Sequence, residues 1–187
     1  WPLGAAIIFT LIVASLIQLS RQHRNRSFFK SILATIYFGT LLAHAPALRA
    51  IDENGWWMLT MLLTTFSVDS AGFFVGKAIG RHKLVPKISP GKSWEGAVGG
   101  IIAGIVVSMA CASALNLGIS LLEASGIGFI IAMVAITGDL AESMLKRYFG
   151  VKESGWLVPG HGGILDRLDS LAPNFAVVYW LTIWVNV

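Results

Sequence analysis

Apolar positions along the chain neither alternate nor recur at the spacing of a half-buried helix. They gather into six runs, roughly 2–19, 31–48, 56–76, 97–115, 119–139 and 170–187. A helix needs about 20 apolar residues to cross the hydrocarbon of a bilayer, and each run comes close to that length. The pattern predicts an all-α, polytopic integral membrane protein of about six transmembrane helices. The fourth and fifth runs are nearly continuous, and the break at Asn116, Gly118 and Glu123 predicts a short turn between them.

Polar residues fall between the runs, and their charge predicts an orientation. If connections alternate sides, those at 20–30, 77–96 and 140–169 share one side and carry all of the 14 Lys and Arg except Arg49. Basic residues accumulate in cytoplasmic loops, so these three are expected in the cytoplasm, with the loop at 49–55 and the turn near 116–118 outside. Composition agrees with a membrane protein: the 187 residues are 55% hydrophobic and 13% charged, with mean hydropathy +0.71. A pI near 9.5 could suggest nucleic acid. The placement of the basic residues argues instead for orientation in a plasma (inner) membrane, contact with membrane lipids and an anionic ligand, with no nucleic acid as partner. The loop RQHRNRSFFK reads as a headgroup patch, each basic residue adding about 1 kcal/mol of attraction to an anionic leaflet. Cys111 is the only cysteine, which excludes an intrachain disulfide and predicts a buried thiol. The first run lacks a basic n-region, so no cleavable signal peptide is expected. The chain begins at Trp1 rather than Met, and further N-terminal sequence is expected.

The chemistry is concentrated in Gly138–Asp169, which holds half of the ten carboxylates. Residues at i, i+3, i+4 and i+7 share a helical face. Asp139, Glu142, Ser143 and Lys146 therefore form one stripe, and Asp166 and Asp169 lie together at a second helical start. Oxygen ligands that gather divalent cations beside Lys146, Arg147 and Arg167 meet the demand of phosphoryl or nucleotidyl transfer. The bland alternative is a solvated loop in which the Glu142–Lys146 pair supports a helix.

Three further features bear on this site. Asp69 lies inside the third run, where a carboxylate costs about 2–3 kcal/mol and so faces a partner or a watery cavity. Gly72, Gly76 and Gly80 follow it as a small-residue ridge, and Gly96, Gly100, Gly104, Ser108 and Ala112 form a second one; both read as helix-contact faces. The segment from Ser89 to Gly96 precedes a helix and combines hydroxyls, Lys92 and flexible backbone, which suits an anion; helix capping by Ser93 explains it equally well. His44, near the outer end of the second run, reads as a hydrogen-bonded interfacial residue. The chain divides into 1–68, N-terminal membrane helices, and 69–187, a catalytic membrane domain with loops 77–96 and 140–169 and a polar cavity facing the cytoplasm.

The run from Ser143 to Asp169, SMLKRYFGVKESGWLVPGHGGILDRLD, closely resembles the signature of the phosphatidate cytidylyltransferases, or CDP-diacylglycerol synthases. Gly138-Asp139-Leu140 and ISPGKSWEG are similar to further blocks of that family, the second to SPKKTWEG. Glu153, Val158, Gly91 and Ser93 depart from the family pattern. The resemblance implies a homodimeric membrane enzyme that joins CTP and phosphatidic acid into CDP-diacylglycerol and pyrophosphate. It implies Mg²⁺ as cofactor, with a second cation left open. On this resemblance Asp139, Asp166 and Asp169 coordinate metal, with Glu142 a weaker ligand. Lys146, Arg147 and Arg167 bind phosphates, and Ser89, Lys92 and Ser93 contact the triphosphate. Gly162 and Gly163 admit the ligand to the backbone, His161 donates a hydrogen bond or orients a carboxylate, and Asp69 completes the cavity toward the lipid headgroup. The competing readings are another lipid-linked transferase, such as a CDP-archaeol synthase-like enzyme or a polyprenol kinase, and an ion-coupled transporter or a noncatalytic scaffold.

Overall fold

A computed structural model describes residues 37, 39–148 and 170–185. The run 2–19, the basic loop 20–30, residues 31–36 and the stretch 149–169 lie outside the described residues, and with that stretch His161, Gly162, Gly163, Asp166, Arg167 and Asp169. The described elements are α1 (His44–Arg49), α2 (Trp56–Ile79), β1 (Lys83–Val85), β2 (Ser89–Ser93), α3 (Trp94–Ala114), α4 (Leu121–Tyr148) and α5 (Leu171–Val185). The described residues are therefore mostly helical, as expected, with one short two-stranded hairpin besides. Helices α2, α3 and α4 are long and apolar enough to cross a membrane, and α5 is a shorter apolar helix of 15 residues.

Local chemistry sets where these helices begin and end. The Asp52 carboxylate accepts from the backbone N–H groups of Trp56 (2.9 Å) and Trp57 (3.1 Å), which opens α2 after Gly55, whose φ of 73° suits glycine. Ser93 opens α3, its Oγ accepting from the Gly96 N–H at 3.1 Å. The turn expected near 116–118 is present: Asn116 and Gly118 take φ of 50° and 76°. Ser120 and Glu123 then start α4 as a capping box, the serine Oγ accepting from the Glu123 N–H and the Glu123 carboxylate accepting from the Ser120 N–H and hydroxyl. Lys146 and Arg147 occupy the last turn of α4, where cations complement the helix dipole. The first part of the loop expected at 140–169, as far as Tyr148, is thus a continuation of the helix.

The two small-residue ridges meet. A Cβ on Gly96 would stand 2.6 Å from the Gly72 carbonyl oxygen, and one on Gly100 would stand 2.9 Å from that of Val68. Antiparallel α2 and α3 therefore touch backbone to backbone, an approach that only glycine permits. The α3–α4 crossing works in the same way: a Cβ on Gly128 would stand 2.7 Å from the Gly104 carbonyl, and the Ser108 hydroxyl donates to the Ala124 carbonyl at 2.8 Å. At the other end of the bundle, Leu48, Trp57, Met61, Ile127, Ile131, Leu171, Phe175 and Val178 form the main apolar core. His44 hydrogen-bonds the Thr40 carbonyl through Nδ1 (2.8 Å) and packs edge-on against Tyr179, the structural role expected of it. Cys111 is buried.

The connection between α2 and α3, expected as a loop at 77–96, is an antiparallel hairpin pairing Lys83 with Ser93 and Val85 with Ser89. Pro90 lies on β2, an edge strand, where proline is tolerated. The hairpin base is closed by Glu95, which accepts from the His82 N–H at 3.2 Å and lies 2.7 Å from His82 Nδ1, and by the Trp94 N–H donating to the His82 carbonyl at 2.9 Å.

Candidate functional site

The antiparallel arrangement puts Lys77, Arg81, Lys83, Lys87, Lys92, Lys146 and Arg147 at one end of the bundle and Arg49 at the other. At the basic end, α2, the hairpin, α3 and α4 enclose a cavity of about 500 Å³. Four elements deliver its polar groups. Asp69 comes from α2, Asp139 from α4, and Ser89, Lys92 and Ser93 from β2; Lys77 and Lys83 also line it, with Val68, Phe73, Ala97 and Ile136 as apolar wall. The glycine contacts set its width, because Gly72, Gly76, Gly96 and Gly100 are wall residues as well as crossing points.

Among the described residues one ion pair lies in the cavity. Lys92 Nζ lies 2.5 Å from Asp139 Oδ2, with side chains 24% and 33% exposed. Asp139 also accepts from the Ser143 hydroxyl at 3.5 Å, so the helical stripe predicted from spacing is present. Asp69 accepts from the Ser170 hydroxyl at 3.2 Å, which brings the start of α5 to the cavity wall. One helical turn on, Asn174 bridges back to α2 by donating to Thr65 Oγ1 at 3.2 Å. The intramembrane carboxylate thus has both a polar partner and a cavity, the two surroundings that lower the cost of a charge at that depth.

Asp69, Asp139, Ser89, Lys92 and Ser93 share this cavity, as one site requires. Glu142, Lys146 and Arg147 do not line it. Glu142, its side chain only 3% exposed, pairs with Lys146 at 2.8 Å one turn further along α4, and the Arg147 Nε–H donates to the Ile88 carbonyl at the hairpin turn, at 3.3 Å. Ser93 both lines the cavity and caps α3, so the two readings of that segment coexist in one side chain. Among the described residues no three His, Cys, Asp or Glu gather in a metal-binding group. The two cavity carboxylates and the serine hydroxyls are hard oxygen donors. One or two carboxylates with substrate phosphates are the usual Mg²⁺ environment, so the donor set fits that ion.

Sequence reasoning assigned Lys77 and Lys83 to membrane orientation alone and did not single out Phe73. The signal was available for two of them: Asp69, Phe73, Gly76 and Lys77 fall at i, i+4, i+7 and i+8, one face of α2.

Comparison with known proteins adds to this geometry. The family model described as "Cytidylyltransferase family" matches residues 2–184. A phosphatidate cytidylyltransferase of Haemophilus influenzae is 42% identical over 134 residues, covering 67% of this chain and 46% of that protein. The same-named protein of Bacillus subtilis is 38% identical over 150 residues (80% and 56%), and that of Mycobacterium bovis 35% over 161 residues (84% and 52%). The chain spans about half the length of the curated relatives it matches.

Proposed function

This chain belongs to the cytidylyltransferase family, and on that premise we propose that the protein is an integral membrane CTP:phosphatidate cytidylyltransferase. It joins CTP and phosphatidic acid into CDP-diacylglycerol and pyrophosphate. The observation that carries the reading is the convergence of Asp69, Lys92 and Asp139 on one cavity at the basic end of the bundle. The relatives' name, phosphatidate cytidylyltransferase, supplies the substrates.

In the proposed reaction an oxygen of the lipid phosphate attacks the α-phosphorus of CTP. The new P–O bond forms as the bond to the β-phosphate breaks, and pyrophosphate leaves with the electron pair. A phosphate monoester loses its second proton near pH 6, so the nucleophile is already ionised and no general base is needed. What the protein must do is hold two anions together against their repulsion. Lys92 would exchange Asp139 for a triphosphate oxygen, and the Ser89 and Ser93 hydroxyls would donate to the same group. Asp139, Asp166 and Asp169, with Glu142 more distantly, would hold Mg²⁺, which when bound neutralises phosphate oxygens. Asp69 keeps the inner end of the cavity polar, anchored by Ser170. Lys146, Arg147 and Arg167 would bind phosphates, Gly162 and Gly163 would admit the ligand to the backbone, and His161 would donate a hydrogen bond or orient a carboxylate. The finer topology belongs to the same reading: about six transmembrane helices, a catalytic part at 69–187, the cavity facing the cytoplasm across the inner membrane, and a homodimer.

Incubating purified protein with CTP, phosphatidic acid and Mg²⁺ tests this directly. CDP-diacylglycerol and pyrophosphate should appear together and should disappear in Asp139→Asn. Phosphorylated lipid without pyrophosphate would indicate a kinase, and ion flux without turnover a transporter; either outcome rejects the reading.

A further inference from the structure

The cavity has a membrane-facing side that the donor-nucleotide residues do not account for. Phe73 lines the cavity and is 62% exposed, so α2 presents an accessible aromatic ring at the cavity wall. Lys77 Nζ stands 5.8 Å from the centroid of that ring and lines the same cavity. Depth can be read from neighbouring side chains. Lys77 sits in the last turn of α2, beside exposed Ile79, and Trp94, 58% exposed, opens α3 at the same end. An exposed tryptophan and a lysine in the last turn of an apolar helix mark the headgroup level of a bilayer. Asp69, eight residues earlier, lies about 12 Å deeper at 1.5 Å per residue. Lys92 is held by Asp139, whereas among the described residues Lys77 forms no ion pair.

We propose that Lys77 receives the phosphate of the acceptor lipid at the membrane-facing side of the cavity, and that Phe73 carries the first apolar atoms below that phosphate. The inference rests on the reading above and deepens it by giving the two anions separate seats. The nucleotide is met from the hairpin by Ser89, Lys92 and Ser93, and the lipid from α2 by Phe73 and Lys77. The chemistry of the seat is a phosphate monoester attached to an amphiphile: the ammonium binds the dianion, and the ring accepts glycerol and acyl carbon without the lipid leaving its leaflet. A free phosphate offers Lys77 the same charge but nothing for Phe73.

The test uses the full-length protein in mixed micelles of a non-ionic detergent. Phosphatidate surface fraction and CTP are varied separately, with pyrophosphate release as readout. Loss of one charge-assisted contact corresponds to about a tenfold change. Lys77→Gln should therefore raise the phosphatidate surface fraction at half-maximal rate about tenfold, with the KM for CTP unchanged, and Lys77→Arg should recover most of the loss. A second readout needs no turnover: phosphatidate alone, without CTP or Mg²⁺, should raise the melting temperature of the wild type and not of Lys77→Gln, and inorganic phosphate should do neither. An unchanged phosphatidate dependence in a Lys77→Gln protein with wild-type melting temperature overturns the proposal. So does a rise confined to the KM for CTP, which would place Lys77 on the nucleotide. Absence of pyrophosphate release from the wild type, with the phosphatidate shift intact and dependent on Lys77, would reject the reaction while keeping the lipid seat.

Discussion

Replacing Gly96 by alanine adds a single methyl group at the point where the cavity walls touch. The new Cβ would lie 2.6 Å from the Gly72 carbonyl oxygen, 3.1 Å from Gly76 Cα and 3.1 Å from Ser93 Oγ. Optimal carbon contacts are about 3.5–4.0 Å, so relief needs most of an ångström. Two of the three neighbours are backbone and have no rotamer through which to escape, so α2 and α3 must separate. Overpacking of this kind costs about 1–3 kcal/mol. In a chain of this size that corresponds to about 2–4 °C of melting temperature per kcal/mol. Gly126→Ala is the control, because a Cβ there meets nothing within 4 Å and its helical position favours alanine by about 0.4–1 kcal/mol. Thermal unfolding of the two variants in the same detergent should move them in opposite directions, Gly96→Ala down and Gly126→Ala level or up. The Gly96 variant should also lose ligand-induced stabilisation, since Gly72, Gly76 and Gly96 are wall residues. If Gly96→Ala melts with the wild type, the backbone contact between α2 and α3 is not what holds the bundle, and the account of the cavity's width fails with it.

Two further outcomes are expected. Glu142→Gln should destabilise by about 1.5–3 kcal/mol, as for loss of a charged hydrogen-bond partner at a buried position, and raising salt to 0.5 M should barely change the wild type's melting temperature; strong salt sensitivity would show the Glu142–Lys146 pair to be solvated. Asp166→Asn should abolish pyrophosphate release while leaving the melting temperature unchanged, and retained Mg²⁺-dependent turnover would remove Asp166 from the reaction.

Much of this molecule could be read along the chain because the relevant physics is local. The three runs at 56–76, 97–115 and 119–139 became long apolar helices because apolar length suffices to define them, and both glycine ridges became contact faces because spacing of four keeps small residues on one side. Asp139 and Ser143, like Glu142 and Lys146, meet as their spacing on one helix requires. The hairpin was not legible: its strands are three and five residues long and carry a proline and a glycine, too short and too irregular for an alternating pattern to register.

What the sequence determined by itself was therefore membership of each residue in a face: which side of which helix is small, which is acidic, and which end of the bundle is basic. What only the tertiary structure decided was which faces meet. Asp69 and Asp139 stand 70 positions apart and come to one cavity because backbone contacts at Gly96, Gly100 and Gly104 fix how the helices cross. The same crossing leaves Glu142 and Lys146 paired with each other outside that cavity, although their spacing from Asp139 promised a common site. Helical period orders neighbours on one rod, whereas the distance between rods depends on the shapes that close against each other, and no local pattern encodes that closure.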